Sequence, residues 1–346
     1  MAIALGASHA GATLIYTCDQ SVDAAEAGTC NYLNTTIAGM YNSTFGNINA
    51  NIYVQMGDTS LGSGFLPDNT VTYSAYVTAL TALANSDGNA VELSAVSALN
   101  SFDQAIYKNT NVELTGALGT ALGFTGMQGY TAAGASCPLT AAGCYNDVLT
   151  IVTPAFLSSE TSNTQFLYWN QQGGTQPANS YNFYTTVEHE TDEGLGTASC
   201  INTDTTPLSN FCGGSESPGD LFRYSSAGHL VADSSLSTTP GAYFSYNGGT
   251  TNGANGAIYN TLDNGNDYGD FVSSCKFVQD AQGCLGKTFN ITTDGGEVNL
   301  LNAVGFELKA APVAPEPGTM GLLGGALALL GIWRKRRSRG AIEVTD

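Results

Sequence analysis

The stretch Thr185–Gly196, "TTVEHETDEGLG", decides how the rest of this sequence is interpreted. It holds one of only three histidines in 346 residues, and four carboxylates crowd around that histidine. No proline or glycine interrupts Tyr181–Glu193, two glycines follow it, and Asn179 or Ser180 stands where a helix cap is needed. The pattern predicts an acidic helix with His189 near its C-terminal end.

The helical spacing gives this stretch a candidate metal site. His189 and Glu193 are four residues apart, so their side chains lie on the same face of the helix and can coordinate one ion. Glu190 sits beside them, where it can take a proton from an attacking water. Two side chains that bind the ion and a third that accepts the proton are an arrangement that favours zinc. The alternative interpretation, which the local sequence leaves open, is a solvated acidic helix end.

The charge balance excludes one large class of partners. The chain has 10 basic and 29 acidic residues, a formal net charge of −19. Five of the basic residues lie in Arg334–Arg339, and the other five are scattered. Such a surface repels phosphate backbones, so no nucleic-acid partner is expected.

The eight cysteines fall into four close pairs. None has the C-x-x-C spacing of a zinc knuckle, and the even number indicates disulfides formed in an oxidising compartment. Free buried thiols are the alternative. The local spacing predicts the pairs Cys18–Cys30, Cys137–Cys144, Cys200–Cys212 and Cys275–Cys284.

The two ends of the chain differ from its body. Residues 1–12, "MAIALGASHAGA", are interpreted as the remnant of a signal peptide. Residues 310–346 contain a Pro-rich spacer, the apolar run Thr319–Trp333 and a basic cluster. This tail, which includes Pro-Glu-Pro at 315–317, resembles the PEP-CTERM sorting signal of bacterial surface proteins. The resemblance implies an exosortase partner, a transient membrane anchor and a final place outside the cell or on its surface; an ordinary single-span anchor is the alternative.

Between these ends, residues 13–309 are expected to form one domain of mixed α and β structure, with a loop-rich C-terminal half. Apolar patterns predict strands at 13–17, 48–56, 147–152 and 165–169, helices at 24–41, 73–84, 181–193 and 297–308, and a hairpin at 243–249. Residues 111–124 are interpreted as a loop or an interrupted helix.

Five blocks in this domain resemble a family of exported bacterial zincin-like metalloproteases that carry PEP-CTERM tails. They are "HETDEGLG" at 189–196, "DLFRYS" at 220–225, "YFSYNGGT" at 243–250, "DYGD" at 267–270 and "LNAVGF" at 301–306. The resemblance implies an α+β, metzincin-related fold with an active-site helix. It differs from the metzincin pattern H-E-x-x-H-x-x-G-x-x-H, since Glu193 replaces the second histidine and Ser199 stands at the third ligand position.

A zinc site in a hydrolase has three protein ligands. His189 and Glu193 supply two, and Asp220, His229 and Glu216 are candidates for the third, with Asp220 favoured because it opens the "DLFRYS" block. Asp220 as a turn or cap residue is the alternative.

Two more residues of the "DLFRYS" block, and one acidic loop, are further candidates. Arg223 is expected to pair with a carboxylate or to orient Glu190 or a substrate, and Tyr224 is a further candidate site residue. Asp263–Asp270, acidic and Gly-rich, is a candidate calcium loop that does not fit the EF-hand spacing.

The sequence thus leaves two functions open. One is an exported zinc-dependent peptidase that acts on a protein or peptide with Glu190 as general base. The other is a non-catalytic cell-surface or biofilm-matrix protein that has kept a zincin fold.

Overall fold

The structure, a computed structural model, describes residues 13–65, 69–101, 107–201, 212–231, 241–251, 257–260, 267–292 and 295–309. The chain divides into two units, Met1–Leu308 and Lys309–Asp346, and of the second only Lys309 is described. The predicted signal remnant at 1–12 and the predicted sorting tail at 310–346 therefore lie outside the described residues. Within the described residues, no helix combines the length and the apolar character needed to cross a bilayer.

The centre of the domain is a mixed four-stranded sheet. Its strands are β1 (Leu14–Cys18), β2 (Ala50–Gly57), β3 (Gly62–Ser63) and β9 (Asp147–Val152), in the order β1-β2-β9-β3. The first three in that order are parallel, and β3 pairs antiparallel with β9 at the edge. Alternate residues of β2 are buried, whereas β9 is buried at five of its six positions. A strand that is covered on both faces has a nearly continuous run of apolar residues. The run "DVLTIV" therefore predicts β9 with the right bounds.

Helices cover this sheet and pack against one another. Their bounds are α1 (Gln20–Ala25), α2 (Thr29–Tyr32), α3 (Ala38–Thr44), α4 (Tyr73–Asp87), α5 (Ala90–Leu99), α6 (Gly116–Ala121), α7 (Pro154–Glu160), α8 (Phe183–Asp192) and α9 (Gly296–Val304). A π-helical turn, Leu33–Ile37, joins α2 to α3. The predicted helix at 24–41 is thus wrong at its start, because Gly28 takes a left-handed conformation (φ 81°) that separates α1 from α2.

Among the described residues, short strands form four smaller sheets around this core. They are β4 (Asn69–Thr72), β5 (Asn111–Leu114), β6 (Gln128–Thr131), β7 (Ser136–Pro138), β8 (Cys144–Tyr145), β10 (Phe166–Tyr168), β11 (Ser180–Asn182), β12 (Arg223–Ser226), β13 (His229–Leu230) and β14 (Tyr243–Phe244). The segment 111–124 is β5 followed by α6, not a loop. The hairpin prediction at 243–249 is wrong, because β14 pairs antiparallel with β12, about 20 residues earlier, and not with a strand inside 243–249.

All four predicted cysteine pairs lie at disulfide distance. Cys18–Cys30, Cys137–Cys144, Cys200–Cys212 and Cys275–Cys284 close loops of 7 to 12 residues, and no cysteine is free. Each bridge thus ties a short local loop.

A buried acid–amide pair joins α5 to α9. Glu92 is fully buried, and its Oε1 accepts a hydrogen bond of 2.6 Å from Nδ2 of Asn302. Glu92 Oε2 and Asn302 Oδ1 have no hydrogen-bond partner among the described residues. Burial of the carboxyl raises the pKa of Glu92 from 4.5 to about 8.

Substituting Glu92 with glutamine is therefore expected to stabilise the fold increasingly as the pH rises. The wild-type carboxyl must stay neutral, so its contribution is fully present below pH 4.5 and is lost as the pH rises through about 8. Glutamine keeps an oxygen that accepts the hydrogen bond from Asn302, and it cannot ionise. At pH 8 we expect a gain of about 2 kcal/mol in the free energy of unfolding, measured by denaturant titration at several pH values. Curves that stay parallel from pH 4.5 to 8 would contradict this explanation.

Candidate metal centre

Helix α8 carries the first two residues of the candidate centre. Its N-cap is Asn182, whose side-chain oxygen accepts a hydrogen bond of 3.0 Å from the backbone N–H of Thr185. The predicted caps, two and three residues earlier, lie before the helix because Ser180–Asn182 forms strand β11. The helix packs against β3 and β9 and ends in a π-helical turn at Glu193–Thr197. Within that turn Gly196 has φ 130°, a conformation that a residue with a Cβ rarely adopts.

Three side chains converge at the end of α8. His189 Nε2 lies 3.4 Å from Oε1 of Glu193 and 3.4 Å from Oδ1 of Asp270. One ligand atom from each of the three residues lies within 4.8 Å of the others, and no other such group occurs among the described residues. The side chains of His189 and Glu193 are 17 % exposed and that of Asp270 is 4 % exposed, so the cluster is reachable from solvent on one side.

The second nitrogen of His189 fixes the orientation of its ring. Nδ1 lies 3.0 Å from the backbone carbonyl oxygen of Val278. Because a carbonyl only accepts, Nδ1 must carry a proton, and in the neutral ring Nε2 then offers its lone pair to the space between Glu193 and Asp270. This is the arrangement that metal-ligating histidines adopt.

Asp270 reaches the cluster from a distant part of the chain. Its Oδ1 accepts a hydrogen bond of 3.0 Å from Nε2 of Gln279, which is fully buried. Three residues earlier, the carboxylate of Asp267 accepts hydrogen bonds from the backbone N–H of Ser199 and of Gly269. These contacts tie the turn that carries Asp270 to the chain that leaves α8.

Burial and neighbouring charges shift the pKa values of Glu190, Asp270 and His189. Burial raises the pKa of Glu190 well above its usual value, and repulsion from Glu193 raises it further. Burial likewise raises the pKa of Asp270 to about 7. Burial alone would lower the pKa of His189, but the nearby carboxylates, Asp270 first, hold it well above its usual value. The cluster therefore retains protons where a divalent cation would otherwise balance the charge.

Glu190 is covered by the edge strand. It is 5 % exposed, and a Cβ added at Gly62 on β3 would come within 2.3 Å of its Oε1. Only a glycine at this position lets β3 approach the carboxylate so closely. Glu190 nevertheless lines the same cleft as the three converging side chains.

That cleft has a volume of about 730 Å³ and runs between β3 and the segment that follows Asp270. One wall is formed by the edge strand and the residues before it, and the floor by α8. Apolar side chains in the opposite wall come from Phe277, Val278 and Ala281. No lysine or arginine is among the described residues that line it, so its charged groups are acidic apart from His189.

The structure does not bring the other predicted residues into this cluster. Asp220, the favoured third ligand, is 1 % exposed and accepts hydrogen bonds from Ser199 Oγ (2.6 Å), Cys200 N (2.9 Å) and Ser217 Oγ (2.9 Å). Its carboxylate organises the turn after α8, and Asp270 stands in the cluster instead. The reason is that both carboxylate oxygens of Asp220 accept hydrogen bonds from local donors.

The remaining candidates are also elsewhere. His229 lies exposed on β13, while Tyr224 is fully buried on β12 and Glu216 is 1 % exposed beside β5. Of the candidate calcium loop at 263–270, residues 263–266 lie outside the described residues. Its last residue, Asp270, belongs to the cluster with His189.

Arg223 pairs with Asp220 and not with the acidic cluster. It is 1 % exposed, its Nη2 lies 3.8 Å from Oδ1 of Asp220, and it donates a hydrogen bond to the carbonyl of Tyr268. Its guanidinium also stacks 4.1 Å from the ring centroid of Tyr259. The one basic residue close in sequence to α8 thus does not neutralise His189 and its carboxylates.

Replacing Arg223 with leucine is expected to destabilise the domain by about 3 to 5 kcal/mol, because Asp220 is left as a buried, uncompensated charge. Denaturant unfolding measures this loss. The double variant Arg223→Leu with Asp220→Asn should recover part of it, since no charge is then stranded. A single variant as stable as the wild type would contradict the role of this pair.

Comparison with known proteins adds no identity: no family model, curated protein or solved structure matches the chain. The zincin-like family resemblance therefore remains an expectation from the motifs.

Sequence reasoning missed Asp270 as a candidate ligand, although it had singled out the loop that ends there. It also missed Val278, whose carbonyl accepts a hydrogen bond from the ring of His189, and Gln279, whose side chain donates to Asp270. The sequence signals for Asp270 were the concentration of acid at 263–270 and the "DYGD" block at 267–270.

Proposed function

We propose that this protein is an exported zinc-dependent peptidase. The observation that carries the proposal is the convergence of His189, Glu193 and Asp270, with ligand atoms within 4.8 Å of one another, on the cleft that Glu190 also lines. One imidazole and two carboxylates are a donor set that suits zinc, and three protein ligands leave a position open for a reactant.

The residues present fit this metal on electrostatic grounds. Several buried carboxyl groups face one another across the cleft, and the pKa of Asp270 and that of Glu190 are raised by burial. Zinc bound there supplies Lewis-acid polarisation of a carbonyl and lowers the pKa of a coordinated water. Because no basic side chain is described in the cleft, an added cation would meet no competing positive charge apart from protonated His189.

Glu190 is the candidate general base. It follows His189 directly in α8 and lines the cleft, with little solvent around it. A carboxylate in that position can take the proton of the water that attacks a peptide carbonyl and later give it to the leaving amine. Its raised pKa favours the protonated carboxyl, which is the form that donates the proton to the leaving amine.

The edge strand supports a peptide as substrate. Among the described strands, β9 is the only one that pairs with β3, and Gly62 and Ser63 of β3 line the cleft together with Gly64. An edge strand offers backbone N–H and C=O groups to which an extended chain can add as a further strand. A polypeptide paired with β3 would lie beside Gly62, the residue of this strand that approaches the Glu190 carboxylate.

The four disulfides support export. Bridges of this kind persist in oxidising compartments and are rare in the cytosol. Residues 310–346, which resemble a sorting signal, would then bring the chain to an exosortase and to the cell surface or beyond it.

Metal analysis and a cleavage assay on the purified, oxidised protein test this proposal. We expect one zinc per chain to be needed for cleavage of an unfolded protein substrate, and we expect chelation to remove the activity. Zinc bound without any cleavage would favour the alternative, a non-catalytic surface or matrix protein whose site is structural. A protein that binds no zinc would overturn the metal centre itself.

A further inference from the structure

A small disulfide-closed loop stands directly behind the candidate metal centre. Cys275 and Cys284 are bridged, with a sequence separation of 9. Between them lies the wall segment that contains Val278 and Gln279, which are 3 % and 0 % exposed. We refer to Cys275–Cys284 as the clamp loop.

The clamp loop contacts two of the three candidate ligands. The carbonyl of Val278 accepts the hydrogen bond from Nδ1 of His189 at 3.0 Å. The next residue, Gln279, donates from Nε2 to Oδ1 of Asp270 at 3.0 Å. Partners of this kind orient metal ligands, and their loss typically weakens metal binding about 10- to 100-fold.

The clamp loop is also fastened to the turn that carries Asp270. The backbone N–H of Phe271 donates to the carbonyl of Gln279 at 2.7 Å, and that of Ala281 donates to the carbonyl of Phe271 at 2.8 Å. Asp280 accepts from the backbone N–H of Lys276 at 2.9 Å. Movement of the loop would therefore move the residue that follows Asp270 as well as the contacts to the ligands.

The bridge that closes this loop is open to solvent. Of the eight cysteines, Cys275 is the only exposed residue, and Cys284 is half-buried and lines the cleft. Cys200 and Cys144, in contrast, are 0 % and 9 % exposed. A reductant in solution can thus reach the clamp-loop bridge while the buried end of the loop stays against the metal centre.

We propose that the Cys275–Cys284 disulfide sets the metal affinity of the centre. In the oxidised chain the closed loop holds Val278 and Gln279 against His189 and Asp270. A dithiol that donates two electrons and two protons opens the bridge to two thiols and itself becomes a disulfide. The freed loop then no longer orients the ligands, and the metal is held more weakly. This inference rests on the proposed metal centre, and it means that the chain acquires a firmly bound metal only after the loop has been oxidised.

A pair of matched disulfide deletions tests the inference by metal affinity alone. The double variant Cys275→Ser with Cys284→Ser opens the clamp loop. The control, Cys137→Ser with Cys144→Ser, opens a loop of similar length, with a separation of 7, whose cysteines do not line the cleft. Competition with a chromophoric chelator gives the zinc dissociation constant. We expect it to rise about 10- to 100-fold for the clamp-loop variant and to stay at the wild-type value for the control.

The wild-type chain gives a second, independent arm. A phosphine opens exposed disulfides first and is converted to its oxide with oxygen from water. Iodoacetamide then caps the thiols, so that they cannot bind zinc themselves, and mass spectrometry of peptides identifies which bridge was opened. Zinc affinity should fall in step with capping of Cys275 and Cys284. If the double variant does not fold, this arm decides by the same criterion.

The outcomes separate this inference from the proposed function. Equal zinc affinity with the clamp loop closed and open would overturn the inference and leave the metal centre intact. An equal loss in the control variant would also overturn it, because the effect would then reflect general destabilisation. An oxidised wild-type chain that binds no zinc would overturn both.

Discussion

Replacing Glu190 with glutamine is expected to reduce the rate of peptide hydrolysis by about 100- to 10,000-fold, the usual contribution of a general base. Zinc content should stay nearly unchanged, because Glu190 is not one of the three converging side chains. Glutamine is chosen because it fills the same narrow space beneath Gly62, where a shorter side chain would leave a cavity. Initial rates on an unfolded protein substrate, at equal zinc occupancy, measure the effect.

Glu188→Gln is the matched control for this substitution. Glu188 lies two residues earlier on α8, is fully buried, and does not line the cleft. Its Oε2 accepts a hydrogen bond of 3.1 Å from the backbone N–H of Ile291, which a glutamine oxygen can also accept. The control removes the same kind of buried carboxyl from the same helix and should retain activity. Equal rates for Glu190→Gln and the wild type would end the peptidase proposal.

Replacing Asp270 with asparagine is expected to weaken zinc binding by on the order of 100-fold or more. This loss exceeds the one expected when a residue that only hydrogen-bonds to a ligand is replaced. Asparagine keeps an oxygen to accept the hydrogen bond from Gln279, so the substitution removes the charge and little else. Without that carboxylate, only His189 and Glu193 hold the ion. Chelator competition at fixed pH gives the change in affinity, and hydrolysis should fall with it.

Two further variants separate Asp270 from the ligands that the sequence favoured. Asp220→Asn disturbs the contacts to Ser199, Ser217 and Arg223, so it should lower thermal stability while the folded protein keeps its zinc. His229→Ala, on an exposed strand, should change neither. Loss of zinc from folded Asp220→Asn, with zinc retained in Asp270→Asn, would reverse the assignment.

Local patterns were sufficient to predict the helix half of the site. His189 and Glu193 are brought together by the geometry of one helix turn, which spacing alone determines. The disulfides were predictable for the same reason, since each closes a short loop. Strand β9 was predictable because a continuous apolar run leaves few alternatives.

The third residue depended on contacts between distant parts of the chain. Asp220 and Asp270 are both aspartates near glycines, and their chemistry as ligands is identical. What distinguishes them is that Ser199 and Ser217 direct donors at Asp220, whereas Gln279 turns Asp270 toward His189. Because these contacts form only in the folded chain, a local pattern does not show which of the two carboxylates reaches His189.

The measurement that tests the metal centre most directly is anomalous diffraction at the zinc absorption edge from crystals of the oxidised protein. We expect a peak within about 2.0 to 2.2 Å of His189 Nε2 and of one carboxylate oxygen each from Glu193 and Asp270. A zinc peak at Asp220 or His229 instead, or no peak in crystals equilibrated with zinc, would contradict the assignment of this cluster as a metal centre.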